Sequence, residues 1–298
     1  MELPPPRAHY RHMKDRIDPL IAERAPWLFR DLPGIGLLRG ALHRALSYDE
    51  TLALAETFRD MASQDIMRCM SQRLARDVEL SGLGHIPLHG PALIVANHPT
   101  GIADGIMVHH ALSQLRKDAY FLANSDILRV LPQLADIIAP VEWRKEKRSH
   151  GKTRETMAYV KRATGEGRLG VIFPSGRLAK RRGLRLYERP WMASAAMLAR
   201  KYDLPVIPLH IEARNSALFY LLDLLHPTLR DVTLFHETLN KDRQPFRIRV
   251  GEPVAASALP ANSDDGIEML RRATLALGGD AAPDVSLIAA TRRPLLRL

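Results

Sequence analysis

The chain has a single cysteine, Cys69, among 298 residues. That count excludes a disulfide framework and any cysteine-ligated zinc or iron–sulfur centre, and points to a reducing compartment. No stretch of 18 apolar residues occurs, and the best run, 218–225, is broken by Asp223. A membrane-spanning helix is therefore not expected. The first residues, Met-Glu-Leu-Pro-Pro-Pro-Arg, lack the apolar stretch of a secretory signal. There is no HExxH pair to suggest a metal site and no GxSxG elbow to activate a serine.

What is present is ordinary globular usage, 46% apolar and 26% charged, in a length that allows one large domain or two small ones. The net charge of +10 is unevenly placed: residues 141–190 hold 15 Lys/Arg against 5 Asp/Glu, while the rest of the chain balances at 28 of each. Such a concentration suits a phosphate-bearing substrate, an anionic membrane surface or nucleic acid; the bland reading is a solvated face. Nucleic acid is disfavoured, because few aromatics (Trp143, Tyr159, Phe173, Tyr187) interleave the basic residues and no nucleic-acid-binding motif is present.

Apolar residues at helical spacing predict helices over 10–25, 36–46 and 49–76, the last capped by Ser47 or Asp49. The apolar segment 26–38 between the first two fits a helical cap or a segment dipping into lipid headgroups. After Gly82 the texture changes. Buried strands are predicted at 92–96, 119–123, 137–141, 169–173 and 206–211, separated by helices at 105–115, 126–134, 153–164, 190–202 and 215–225. A half-exposed strand at 246–250 and a terminal helix at 263–277, capped by Ser263 or Asp264, follow. The expectation is an α/β fold with a mostly parallel central sheet flanked by helices and an N-terminal helical region. The division is 1–80 as helical cap, 81–280 as catalytic domain and 281–298 as tail.

Three strand-end segments carry chemistry. In Val95-Ala96-Asn97-His98-Pro99-Thr100-Gly101-Ile102-Ala103-Asp104, a strand runs into Asn97 and His98, and Asp104 sits at the start of a helix. A carboxylate holding one imidazole nitrogen leaves the other as a base near neutral pH, so His98 is a candidate base with Asp104 as its orienter. The alternative is an N-cap and a turn residue. The second segment, Phe173-Pro174-Ser175-Gly176-Arg177, is followed by Lys180, Arg181, Arg182 and Arg185 and suits an anion. The third places Arg144 just past a strand, with Lys152 nearby.

Together these segments resemble the glycerophospholipid acyltransferase superfamily, which includes the 1-acylglycerol-3-phosphate O-acyltransferases. An NHxxxxD block, a strand-end Arg, an FPEGTR-like block and a Pro-containing strand correspond here to Asn97-His98 with Asp104, to Arg144, to 173–177 and to Val206-Ile207-Pro208, over roughly residues 80 to 255. Five residues rather than four separate His98 from Asp104, and Ser175 and Arg177 stand where Glu and Thr are usual. The form NHPxGxxDG, with 211–216 after the fourth block, looks like the hemolysin-like bacterial branch.

The resemblance implies transfer of an acyl chain from acyl-CoA or acyl-carrier protein to a hydroxyl of a lysophospholipid or lyso-ornithine lipid, with no metal or other cofactor. His98 and Asp104 would be catalytic. Asn97, Arg144, Lys152, Ser175, Gly176, Arg177 and Pro208 would bind substrate, with backbone N–H groups near Gly101 or Gly176 as candidate oxyanion donors. The expected partners are the lysolipid, the thioester donor and an anionic membrane surface, and the expected place is the inner face of the cytoplasmic membrane. A hydrolase using the same pair, or a non-enzymatic membrane-binding protein, are the rivals.

Overall fold

A computed structural model describes residues 11–31, 33–142, 149–225, 227–279 and 284–286. Arg144 and most of the segment read as a tail lie outside the described residues. In chain order the strands are β1 (Val78–Ser81), β2 (Ala92–Ala96), β3 (Tyr120–Asn124), β4 (Ile138–Val141), β5 (Leu169–Ile172), β6 (Lys180–Arg182), β7 (Arg185–Tyr187), β8 (Val206–Glu212), β9 (Phe246–Val250) and β10 (Asp284–Ser286). The helices of the first half are α1 (Arg11–Arg24), α2 (Ile35–Ala45), α3 (Tyr48–Phe58), α4 (Ser63–Leu74), α5 (Ile102–Leu112) and α6 (Asp126–Val130). Those of the second are α7 (His150–Gly165), α8 (Ser194–Lys201), α9 (Ala217–Leu225), α10 (Pro227–Val232), α11 (Leu234–Leu239) and α12 (Ser263–Ala276).

Seven strands form one sheet in the order β1-β9-β8-β2-β5-β3-β4. The five strands from β8 to β4 are mutually parallel; β9 runs antiparallel to β8, and β1 runs parallel to β9. The sheet is thus mostly parallel and flanked by helices, as the alternation of apolar strands and helices predicts. Every residue of β2 is buried because both of its faces are covered. Ala92, Ile94 and Ala96 point into a core shared with Met13 and Ile17 of α1, Phe58 of α3, Leu74 of α4 and Met107 of α5. Leu93 and Val95 point the other way, onto Val160 of α7, Leu198 of α8 and Leu270 of α12. The N-terminal helices therefore share a core with the sheet rather than standing apart from it.

Pro208 sits inside β8, where a proline normally breaks a ladder. Its carbonyl accepts from Gly251 N at 2.8 Å. The missing N–H thus lies on the β9 side, where pairing begins only at Leu209.

The structure departs from the sequence reading in several places. The expected helix at 49–76 is two helices, because Ala62 adopts an extended conformation before α4. Ser47 occupies the N-cap of α3 in a left-handed conformation but makes no side-chain cap; its hydroxyl meets His236 Nδ1 at 3.2 Å. The cap of α12 is Asn262, which accepts from Asp264 N. Residues 78–81, read as the end of a helical region, form an edge strand that alternates between half-buried and exposed positions. The charge run after Arg177 folds into the β6–β7 hairpin, and β10, within the expected tail, pairs with β7. Among the described residues no helix is long and apolar enough to cross a membrane.

Candidate active site

In a parallel sheet the strands end together, and the loops beyond their carboxyl ends gather functional side chains. Val95 of β2 pairs with Ile172 of β5, so His98 and the 173–177 turn emerge side by side. The His98 and Phe173 rings stack with centroids 4.4 Å apart, and the His98 carbonyl accepts from Ala179 N at 2.9 Å.

Asp104 is fully buried. It sits in the first turn of α5, whose N-cap Gly101 has φ 103° and ψ −130°, a region open to glycine. The Asp104 carboxylate collects the donors of this turn. Oδ2 accepts from His98 Nδ1 at 2.8 Å, from Thr100 N at 2.9 Å and from Gly101 N at 3.0 Å, while Oδ1 accepts from the Thr100 hydroxyl. Asp104 thus caps the helix and holds the imidazole at once, across five intervening residues. With Nδ1–H donated to the carboxylate, the lone pair on Nε2 is left to accept. The His98 side chain keeps 19% exposure, whereas Asp104 has none.

Behind the imidazole lies Glu188, which reading the sequence did not single out. Its carboxylate accepts from His98 N at 3.2 Å and from Trp191 Nε1 at 2.9 Å. Burial pushes the Glu188 carboxyl above the usual carboxylate range, against the pull of those donors. Glu188 is one of five acidic residues in the basic stretch, and nothing in its spacing signals this place.

A second buried network stands behind the turn. Lys241 has no exposure; its ammonium donates to Asn215 Oδ1 at 2.8 Å and Glu237 Oε2 at 3.1 Å. Asn215 Nδ2 donates to the Thr100 carbonyl at 3.3 Å, joining this ion pair to the turn that carries Asp104. Burial lowers the Lys241 pKa, and the Glu237 carboxylate opposes that shift. Asn215 falls in the quoted 211–216 segment, whereas Lys241 and Glu237 carried no sequence signal.

Of the residues assigned to substrate binding, Ser175, Gly176 and Arg177 lie in the turn beside His98. Ser175 is buried and donates to the Arg177 carbonyl at 2.8 Å; Gly176 (φ 59°) and Arg177 are exposed. Asn97 faces elsewhere. Its Nδ2 donates to Ile211 O at 2.8 Å and its Oδ1 accepts from Ile211 N at 2.7 Å, so the amide clamps β2 to β8. Pro208 is buried within the sheet. Lys152 starts α7 at the same sheet edge two strands further out, with its ammonium 2.8 Å from Glu142 Oε2. Among the described residues no group of His, Cys, Asp and Glu could hold a metal ion.

A histidine fixed through one nitrogen by a buried carboxylate, at the carboxyl edge of a mostly parallel sheet, has the chemistry to take up and return a proton. Residues 77–212 match the family model described as Acyltransferase. The chain is an acyltransferase. It is 23% identical over 247 residues to the lyso-glycine lipid O-acyltransferase of Phocaeicola vulgatus, covering 80% of this chain and 85% of that protein. It is 22% identical over 206 residues to the lyso-glycine lipid O-acyltransferase of Bacteroides thetaiotaomicron, covering 68% and 72%. Among solved structures it resembles the 1-acyl-sn-glycerophosphate (LPA) acyltransferase PlsC from Thermotoga maritima, with a TM-score of 0.47 and 13% identity over 90% of this chain and 93% of that chain.

Proposed function

We propose that this acyltransferase moves a fatty acyl chain from an acyl thioester, acyl-CoA or acyl-carrier protein, to the hydroxyl of a lysolipid with an amino-acid head group, of the lyso-glycine lipid kind on which the named relatives act. The observation that carries the reading is the 2.8 Å contact between His98 Nδ1 and buried Asp104, which leaves Nε2 to act. The acceptor hydroxyl gives its proton to His98 Nε2 as its oxygen attacks the thioester carbonyl. The tetrahedral intermediate then collapses, the C–S bond breaks, and the proton passes from Nε2 to the leaving thiolate. Asp104 stabilises the imidazolium formed in between.

Arg177, exposed beside the turn, binds the anionic head of the acceptor or the phosphates of the donor, with Lys152 and Arg144 extending the charge. The N–H groups of Thr100, Gly101 and Gly176 already donate to Asp104 and to the Phe173 carbonyl, so the oxyanion is met by other backbone N–H groups of these two turns. No metal is required, since a base and a thioester leaving group suffice. The enzyme works at the inner face of the cytoplasmic membrane, peripherally attached to anionic lipid.

The test is to supply radiolabelled acyl-CoA and acyl-carrier protein with lyso-glycine lipid, lyso-ornithine lipid and lysophosphatidic acid. Label in the lyso-glycine lipid under one donor supports the reading and names that donor. Thioester loss without labelled lipid would make the protein a hydrolase.

A further inference from the structure

Helix α9 carries its leucines on the wrong side for a soluble protein. Its sequence, Ala-Leu-Phe-Tyr-Leu-Leu-Asp-Leu-Leu, is apolar nearly all round. Phe219 and Tyr220 are buried against Leu186 of the β6–β7 hairpin. Leu221, Leu224 and Leu225, spaced three and four residues apart on the outer face, are 56%, 68% and 67% exposed. The hairpin presents Leu184 at its two-residue turn, 59% exposed, with Lys180, Arg182 and Arg185 exposed around it.

The Arg181 guanidinium lies over the Tyr220 ring at 5.9 Å, so the basic hairpin packs directly beside α9. Both adjoin the site. Ala179, one residue before β6, donates to the His98 carbonyl, and the Tyr220 hydroxyl accepts from Asn215 N at 3.1 Å.

We infer that α9 and the β6–β7 hairpin together form the face that docks on an anionic lipid bilayer. Leucines inserted below the headgroups with arginines and a lysine at the level of the phosphates match the two layers of a bilayer surface. An acidic protein partner would satisfy the cations but would leave a row of outward leucines without that stratified match. The inference extends the lysolipid reading, because a face beside His98 lets an acceptor pass from the bilayer to the base. It is distinct from the apolar N-terminal region, where Leu37 and Leu38 of α2 are exposed as well.

The experiment is co-flotation of the full chain with phosphatidylglycerol-containing and pure phosphatidylcholine vesicles. It compares the unaltered protein with Leu221→Ser/Leu224→Ser/Leu225→Ser, with Lys180→Gln/Arg182→Gln and with Leu37→Ser/Leu38→Ser. Because the altered side chains face solvent, thermal unfolding should stay unchanged, which checks the fold. The expected result is binding to anionic vesicles that falls at least tenfold in the α9 variant, and severalfold with less salt dependence in the hairpin variant. Transfer to a short-chain, water-soluble acceptor should persist in the α9 variant.

Equal binding of the α9 variant, equal binding to neutral vesicles, or loss confined to the Leu37/Leu38 variant would overturn the inference. So would a dimer that the α9 substitutions convert to monomer, or salt-sensitive binding to acyl-carrier protein without binding to vesicles. Flotation needs no turnover, so docking without acyl transfer would retire the reaction and leave the surface standing.

Discussion

Lys241 and Asn215 meet at 2.8 Å beneath the turn of the site, and Asn215 passes the contact on to the Thr100 carbonyl. The ammonium is fully buried with Glu237 as its counter-charge, and Glu237 in turn accepts from Ser216 N at 2.7 Å. Removing one member of a buried pair leaves the other charge uncompensated, at a cost of about 3–5 kcal/mol. Lys241→Met is expected to lose that much stability in urea titration, and Lys241→Met/Glu237→Gln to recover at least half of it. A Met variant within about 1 kcal/mol of the unaltered protein would show that the pair is not holding this region.

Asn97 is a clamp in the structure, both ends of its amide being bonded to the Ile211 backbone. Asn97→Leu strands a buried N–H and a buried C=O, and the expected destabilisation is about 2–4 kcal/mol from two unmet groups. The Michaelis constant for the acceptor should stay within about twofold, because the hydrogen bonds lost are internal to the sheet. A selective rise in that constant at unchanged stability would instead restore Asn97 to substrate binding.

Acid should weaken the fold through buried histidines. Burial lowers His109 and His210 to about 4 from an ordinary 6.5. Both are neutral in the folded state, so between those values the unfolded chain binds more protons and stability falls as pH drops through the window. Glu188, whose carboxyl is raised, works in the opposite sense above its ordinary 4.5. Denaturation midpoints measured from pH 7 down to 4 should therefore decline, and replacing His210 by Gln should flatten the decline. An unchanged slope in that variant would remove His210 from the account.

Asp104→Asn replaces an acceptor-only carboxylate that receives from His98 Nδ1, Thr100 N and Gly101 N. The amide can keep its oxygen on these donors with its nitrogen towards the Thr100 hydroxyl, but it removes the negative charge that stabilises the imidazolium. Loss of at least 10²-fold in kcat is expected, given what oriented bases typically contribute. The decisive reading is steady-state kcat at saturating donor and acceptor; a change below tenfold would leave Asp104 as a helix cap alone.

Much of this arrangement is legible in the sequence for physical reasons. Strand β2 could be placed to the residue because a strand covered on both faces must be apolar throughout, and Ala92–Ala96 is. His98 and Asp104 followed from a strand running into a glycine turn and a helix start. The hairpin was not legible, since Lys180, Arg181, Arg182 and Arg185 read as a charge cluster suited to an anion and not as strands, until Leu186 is seen buried against α9. Glu188, Glu237 and Lys241 were not legible either. Their roles depend on packing between segments far apart in the chain, and a charged residue in a sequence reads as surface by default.

The most direct test of the central claim compares His98→Ala with the unaltered enzyme for transfer of labelled acyl chains to the preferred lysolipid, with circular dichroism and unfolding to confirm the fold. The account predicts a folded variant with kcat reduced by 10²-fold or more. A folded variant that retains more than about a tenth of the rate would contradict His98 as the base.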